Sequence, residues 1–299
     1  MSAPLDLFDP VVSVGEPPYG MRPEGEGAAA SSPEGWSLGV CPDLSFQAYQ
    51  AAPAVSKSAL WTAVNRSPAH ALVEREPSVA MALGTAVHCA VLEPDAFEDR
   101  YVRGPDDRRG GKWRDALEEH GEALLTSGDY DEALRIRDAL MRDATIRALV
   151  GGPMLREASG FWIDPETQLL CRCRPDGYRP DLGLMLDLKT ARDARPRGFA
   201  TSVAEYGYHA QEAFYTDGWN ACGDPVDAFV FVAVETTAPY AAAIYELEPA
   251  AVEEGRAHMR VALDLWAKCA AADAWPAYPP GVQPLDIPNW AYRHTDPPA

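Results

Sequence analysis

The chain has 299 residues, 47% of them hydrophobic and 24% charged, with a formal net charge of −19. That is enough material for one large domain or two small ones around a substantial core. No apolar run approaches the roughly 20 residues that cross a bilayer, and the N-terminus lacks the basic-then-apolar pattern of an export signal, so a cytoplasmic protein with no membrane partner is expected.

Residues 1–45 are rich in Pro, Gly, Ser, Ala and Glu without periodicity, the composition of a disordered tail, and the folded domain is expected over 46–299. Residues 1–50 carry seven acids against Arg22 alone, so a good part of the negative charge belongs to that end. Phosphate binding is driven by Lys and Arg, and the acidic sum taken alone argues against a nucleic-acid partner. Two basic clusters run the other way, Arg100 to Arg114 and Lys189 to Arg197. The six cysteines are scattered, and Cys171 and Cys173 are too close for a CxxC metal site. Reduced structural thiols are expected.

Ser56 caps a predicted helix with Leu60, Trp61 and Val64 on one face, and Ser67–Pro68 starts another running to about Glu74. A helix over Ser78 to Leu92 follows, stopped by Pro94. On it Gly84 and His88 share a face, so the glycine admits a neighbouring element while the imidazole points into that space. By itself such a histidine is more often a satisfied core residue than a ligand. Residues 104–114 read as a Gly-rich basic loop containing Trp113; it is either a solvated loop or a DNA-contacting one through Arg108, Arg109 and Lys112, with the indole stacking on a base. One long amphipathic helix is predicted over Asp129 to Val150, ended by Gly151–Gly152.

The pattern then changes to period two. Strands are predicted over Glu157 to Ile163, Leu169 to Arg174, Leu184 to Lys189, Ala228 to Val234 and Ala242 to Leu247, a mixed sheet with helices before, within and after it. The second and third strands read as a hairpin whose turn carries Gly177, Pro180 and Gly183, bringing Asp176 beside Asp187 and Lys189. Helices are predicted at Pro196–Ala204, Tyr208–Cys222 and about Pro249 to Ala272, with Gln211 and Tyr215 on one face of the second. The Pro-rich end from Trp275 to Ala299 is expected to wrap the surface.

Two aspartates and a lysine suit phosphodiester hydrolysis. Mg²⁺ takes a few carboxylate oxygens and leaves positions for water and substrate, and an ammonium beside it stabilises charge on the phosphorus. Asp-x-Lys alone is also what an ordinary strand-end ion pair looks like. What raises it is the ordered set: Gly84-x-x-x-His88, Asp176, Asp187-Leu188-Lys189, then Gln211-x-x-x-Tyr215.

That set resembles the PD-(D/E)xK nuclease superfamily, in the branch of the RecB nuclease domain and the RecE exonucleases (exodeoxyribonuclease VIII). The stretches Leu83 to Pro94, Arg172 to Asp176 and Tyr208 to Tyr215 are most similar to phage and prophage RecE-like enzymes. The resemblance implies an α/β, restriction-endonuclease-like core with a central mixed sheet flanked by helices. It implies metal ligation by His88, Asp176, Asp187 and the Leu188 carbonyl, with Glu157 as an added acidic position. Lys189 is then the catalytic lysine, Gln211 and Tyr215 support the site, and Arg174 joins Arg108, Arg109 and Lys112 as DNA contacts. The implied activity is ATP-independent, Mg²⁺-dependent 5′→3′ degradation of double-stranded DNA ends, with Mn²⁺ as a substitute metal. It leaves 3′ tails for a RecT-like single-strand-annealing recombinase. A toroidal homo-tetramer follows by the same analogy. Two alternatives remain: a RecB-like nuclease acting on single strands beside a separate helicase, and a catalytically silent DNA-binding or assembly protein of the same fold. The chain has no phosphate-binding Gly-x-x-x-x-Gly-Lys-Ser/Thr loop of its own, and it lacks the cysteine cluster of the iron–sulfur relatives.

Overall fold

The computed structural model describes residues 35–73 and 79–288. Most of the expected disordered tail therefore lies outside the described residues, but its last part is folded. Trp36 is buried, its ring 5.3 Å from that of Phe161, and β1 (Gly39–Cys41) pairs antiparallel with a later strand. An aromatic anchor outweighs the Pro- and Gly-rich composition around it.

Helix α1 (Phe46–Ala51) is capped by Ser45, β2 spans Val55–Ser56, and α2 (Lys57–Asn65) is capped by Ser56 as predicted. Helix α3 is shorter than expected, Pro68–Ala71, and Glu74 lies outside the described residues. Helix α4 (Val79–Leu92) carries Gly84 and His88; a Cβ added at Gly84 would lie 3.4 Å from Thr190 Oγ1, so the helix does approach the sheet at its glycine. Next come α5 (Phe97–Arg100) and β3 (Val102–Arg103), which pairs in parallel with β4 (Leu124–Leu125). Between them α6 spans Gly111–His120, so only the first part of the 104–114 segment is loop.

The single helix expected over 129–150 is two, α7 (Ser127–Leu140) and α8 (Ala144–Val150). Asp143 makes the break, its carboxylate accepting from the amides of Thr145 (2.7 Å) and Ile146 (3.1 Å). A side chain that caps a new helix start competes with the through-going one.

The strands β5 (Leu155–Arg156), β6 (Ser159–Ile163), β7 (Leu170–Cys173), β8 (Gly177–Arg179) and β9 (Leu184–Ala191) follow. Helices α9 (Pro196–Tyr206) and α10 (Tyr208–Ala221) precede β10 (Ala228–Glu235), β11 (Ala242–Tyr245) and α11 (Pro249–Ala272). They form two mixed sheets where one was expected, ordered β1-β6-β7-β2 and β11-β10-β9-β8-β5. The hairpin is therefore β8–β9, with Gly177 paired to Leu186, while the 170–173 run belongs to the other sheet. The chain crosses between sheets twice. It leaves at Glu157, whose φ of 49° is left-handed, and returns through Pro175–Asp176, where proline has no amide to give a ladder. The two crossings meet: the Glu157 amide donates to the Asp176 carbonyl at 3.2 Å.

Strands β9 and β10 run parallel, joined through α9 and α10, with Asp187 opposite Phe231 and Lys189 opposite Ala233. Alternation divides the sheet's two faces. Leu186, Leu188, Val232 and Val234 pack with α4, α7 and α8, whereas Met185, Phe231 and Ala233 pack with α2, α9, α10 and α11 over Trp219 and Trp266. Among the described residues no helix is long and apolar enough to cross a membrane.

Candidate active site

Pairing between β8 and β9 ends at Gly177 and Leu186, which leaves the β9 edge beyond Leu186 without a strand on that side. Asp176 fills the place of the missing strand: its Oδ2 accepts the Leu188 amide at 2.6 Å. The amide and carbonyl of a strand residue leave on the same side, so the Leu188 carbonyl faces that edge too. Asp176 Oδ1 lies 3.3 Å from His88 Nδ1 on α4. Burial pushes the Asp176 carboxyl up, but His88, Lys189 and the Leu188 amide together hold it below its ordinary value. Burial pushes His88 down, and Asp176 more than reverses this, to about 9.

Glu157, at the other crossing, completes this half of the site. Ligand atoms of His88, Glu157 and Asp176 all lie within 4.8 Å of one another. The Glu157 carboxyl is pushed up by burial and by Asp176, against the pull of Arg174, with which it pairs at 3.0 Å.

Asp187 lies mid-strand, because β9 runs two residues past the predicted Lys189, and is 2% exposed. Its carboxylate pairs with Lys189 and accepts from Gln211 Nε2, and the lysine in turn donates to Gln211 Oε1 at 3.2 Å. Burial and Asp176 push the Asp187 carboxyl up against the pull of Lys189. Burial lowers Lys189, but Asp187 and Asp176 outweigh it, so the ammonium stays charged; it lies 4.6 Å from the Tyr208 ring centre. The three-ligand cluster therefore does not contain Asp187, because Lys189 and Gln211 hold it to the neighbouring half of the site.

Tyr215 lies one turn beyond Gln211, packed on the core, its phenol driven well up by burial; it makes no hydrogen bond to Asp187, Lys189 or Gln211. The expected DNA contacts separate. Arg108 is held by Asp129 (2.8 Å) and lies 5.4 Å from the ring centre of Trp113, which is buried and so cannot stack on a base. Arg174 points inward to Glu157, Ser159 Oγ (2.8 Å) and the Leu44 carbonyl (2.9 Å). Only Arg109 and Lys112 stand exposed.

Lys57 escaped the sequence reading. It is 7% exposed, its ammonium donates to the Tyr206 carbonyl at 2.6 Å, and it lies 5.1 Å from the Trp61 ring centre. Burial lowers it to about 7, Lys189 adding to the effect and Asp187 opposing it. One signal was available: a cation in the first turn of α2, where a helix dipole disfavours it.

The donor set is an imidazole, the carboxylates of Glu157 and Asp176, and close by them Asp187 and the Leu188 edge, all oxygen or nitrogen. Burial is the first cause that pushes the Glu157 and Asp187 carboxyls up, and Asp176 adds to it in both. Such a set fits a hard divalent cation.

Comparison with known proteins bears on the fold. The model of a PDDEXK-like domain of unknown function matches residues 58–283. Among solved structures the chain is similar to a candidate exonuclease from Eubacterium rectale, at 14% identity and a TM-score of 0.52, covering 76% of this chain and 91% of that one. A phage related exonuclease from Haemophilus somnus 129PT shares 12% identity over 74% of this chain and 96% of its own, at a TM-score of only 0.33. No curated protein matches. The first of these structures agrees in fold, the family model covers well over half of the sequence, and the chain belongs to the PDDEXK-like family (DUF3799) of the PD-(D/E)xK nuclease fold.

Proposed function

We propose that the protein is a divalent-metal-dependent exonuclease that degrades double-stranded DNA from its ends, 5′→3′ and without ATP, using Mg²⁺ or Mn²⁺. The observation that supports metal-dependent phosphodiester hydrolysis is the convergence at β9 of Asp176, Asp187, Lys189 and His88, with Gln211 bonding the middle pair, while the end-directed, 5′→3′, duplex-specific part rests on the resemblance alone. When bound, the cation would polarise a phosphoryl oxygen and acidify a water. His88, Glu157, Asp176, Asp187 and the Leu188 carbonyl are the groups that would hold it. Lys189 is charged, so it serves as a donor that orients the water and stabilises charge on the phosphorus rather than as the base that takes the proton. Gln211 fixes the rotamers of both Asp187 and Lys189 through its two amide atoms. The likeness to RecE-type enzymes supports 3′-tailed products handed to a single-strand-annealing recombinase, a ring-shaped homo-oligomer and a cytoplasmic setting.

The test uses linear duplex DNA with one end blocked by 5′ biotin–streptavidin and each strand labelled in a separate reaction. With Mg²⁺ and no ATP, nucleotides should be released from the free 5′ end only. Release from the 3′ end would reverse the polarity, and activity confined to single strands would favour the RecB-like reading.

A further inference from the structure

Next to the α10 face that carries Glu212 and Thr216, a cavity of about 230 Å³ opens between α10, the start of α11, the start of β10 and the segment after β11. Glu212, the residue after Gln211, lines it. Glu212 is 7% exposed, and its Oε2 is buried with no hydrogen-bond partner. Asp227, Glu246 and Glu253 also line the cavity. The one lining cation is already engaged: Arg256 Nε lies 2.7 Å from Asp217, and another nitrogen of its guanidinium pairs with Glu253. That leaves Glu212, Asp227 and Glu246 without a basic partner among the described residues, beside apolar walls that include Phe229 and Leu247.

A buried carboxylate with an idle oxygen, set in an acidic cavity with apolar sides, is unfavourable when empty of a partner. A metal ion is the wrong occupant: among the described residues only His88, Glu157 and Asp176 bring three ligand atoms together. An elongated cation suits the cavity better, its charged head on the carboxylate and its methylene stem along the walls. We infer that this cavity binds an ammonium or guanidinium group on an aliphatic stem, with Glu212 as its buried anchor and Glu246 at the rim. Free diamines and the basic side chain of a partner peptide share that chemistry.

Burial, and then Glu246, push the Glu212 carboxyl up to about 8, while Arg256 on α11 is tied to Asp217 and Glu253 and Asp227 adds negative charge. Binding of a cation near pH 7 should therefore expel a proton from Glu212. Calorimetric titration of the full chain with agmatine, and separately with N-acetyl-arginine amide, tests this in two buffers of different ionisation enthalpy. The expected result is saturable 1:1 binding with proton release, weakened at least tenfold by Glu212→Gln and a few-fold by Glu246→Gln on the exposed rim. Binding by agmatine alone assigns the site to free amines, and binding by both assigns it to basic side chains as well. No saturable binding of either, or equal binding by both variants, would overturn the inference. Nuclease activity enters none of these readouts.

Discussion

Ion pairs join the charged residues around β9 and several of those between Arg103 and Asp138. In the first set Asp187 and Asp176 are buried and Lys189 is half-buried, and their charges shift one another. The second set is in water. Arg103 pairs with Asp131 at 2.6 Å, Arg135 with Glu132 and Arg137 with Asp138 at 2.7 Å, yet solvent screens them and each contributes little. The same residue types thus shift one another strongly where burial limits water and are screened where it does not. Burial, more than residue type, separates the two.

The sharpest way to break that contrast is to remove one member of the buried set. Asp187→Asn keeps the shape and one hydrogen-bond acceptor for Gln211 but deletes the charge opposite Lys189. Nuclease activity on linear duplex should fall by on the order of 10²–10³-fold, as when a group that stabilises transition-state charge is removed. Lys189→Ala should do the same, with circular dichroism unchanged for both. Retention of wild-type degradation by either variant would remove this site from the mechanism.

A second test lies in a charge that burial disfavours. Lys57 falls from 10.5 to about 7 on folding, by burial first and Lys189 second. Between these two values the unfolded chain binds more protons than the folded one, so Lys57's contribution to stability rises with pH across that window. Its cost is full below pH 7 and fades towards pH 10.5. From pH 7 to 9 the recovery should be about 2 kcal/mol. Lys57→Met, which keeps the stem against Trp61, should therefore be more stable than wild type in urea at pH 6, and the gap should close as pH rises. A gap independent of pH would show that the ammonium is not desolvated.

That Asp187 and Lys189 share a face was legible from alternation along the strand, whereas Asp176 was expected beside them through a hairpin that the structure replaces, and Gln211 joined them only through the resemblance. The division into two sheets was not legible. Whether Leu170–Cys173 pairs with Leu184 or with Gly160 is a non-local choice, made by the crossings at Glu157 and Pro175–Asp176. The same limit hid the three-residue β8 and the folding of Trp36 onto Phe161. Each depends on a partner distant in sequence, whereas Asp143, which splits α7 from α8, is a local cap that composition alone could have flagged.

The smallest expected effect comes from the exposed set. Arg108 is committed to Asp129 and Trp113, so of the three basic residues expected to contact DNA in this loop Arg109, only 4.0 Å from Asp107 but almost fully exposed, and Lys112 are the ones open to phosphate. Each phosphate neutralised releases condensed counterions, and losing one contact should reduce the slope of log affinity against log salt by about 0.9 on duplex DNA. The double variant Arg109→Ala, Lys112→Ala should then bind duplex more weakly at low salt, with a slope flatter by up to about twice that. Its unfolding temperature and metal-stimulated cleavage of saturating DNA should stay at wild-type values. An unchanged slope would mean that this segment is surface only. A fall in cleavage at saturating DNA would mean that it reaches the site, and the separation drawn between buried and solvated charge would no longer hold there.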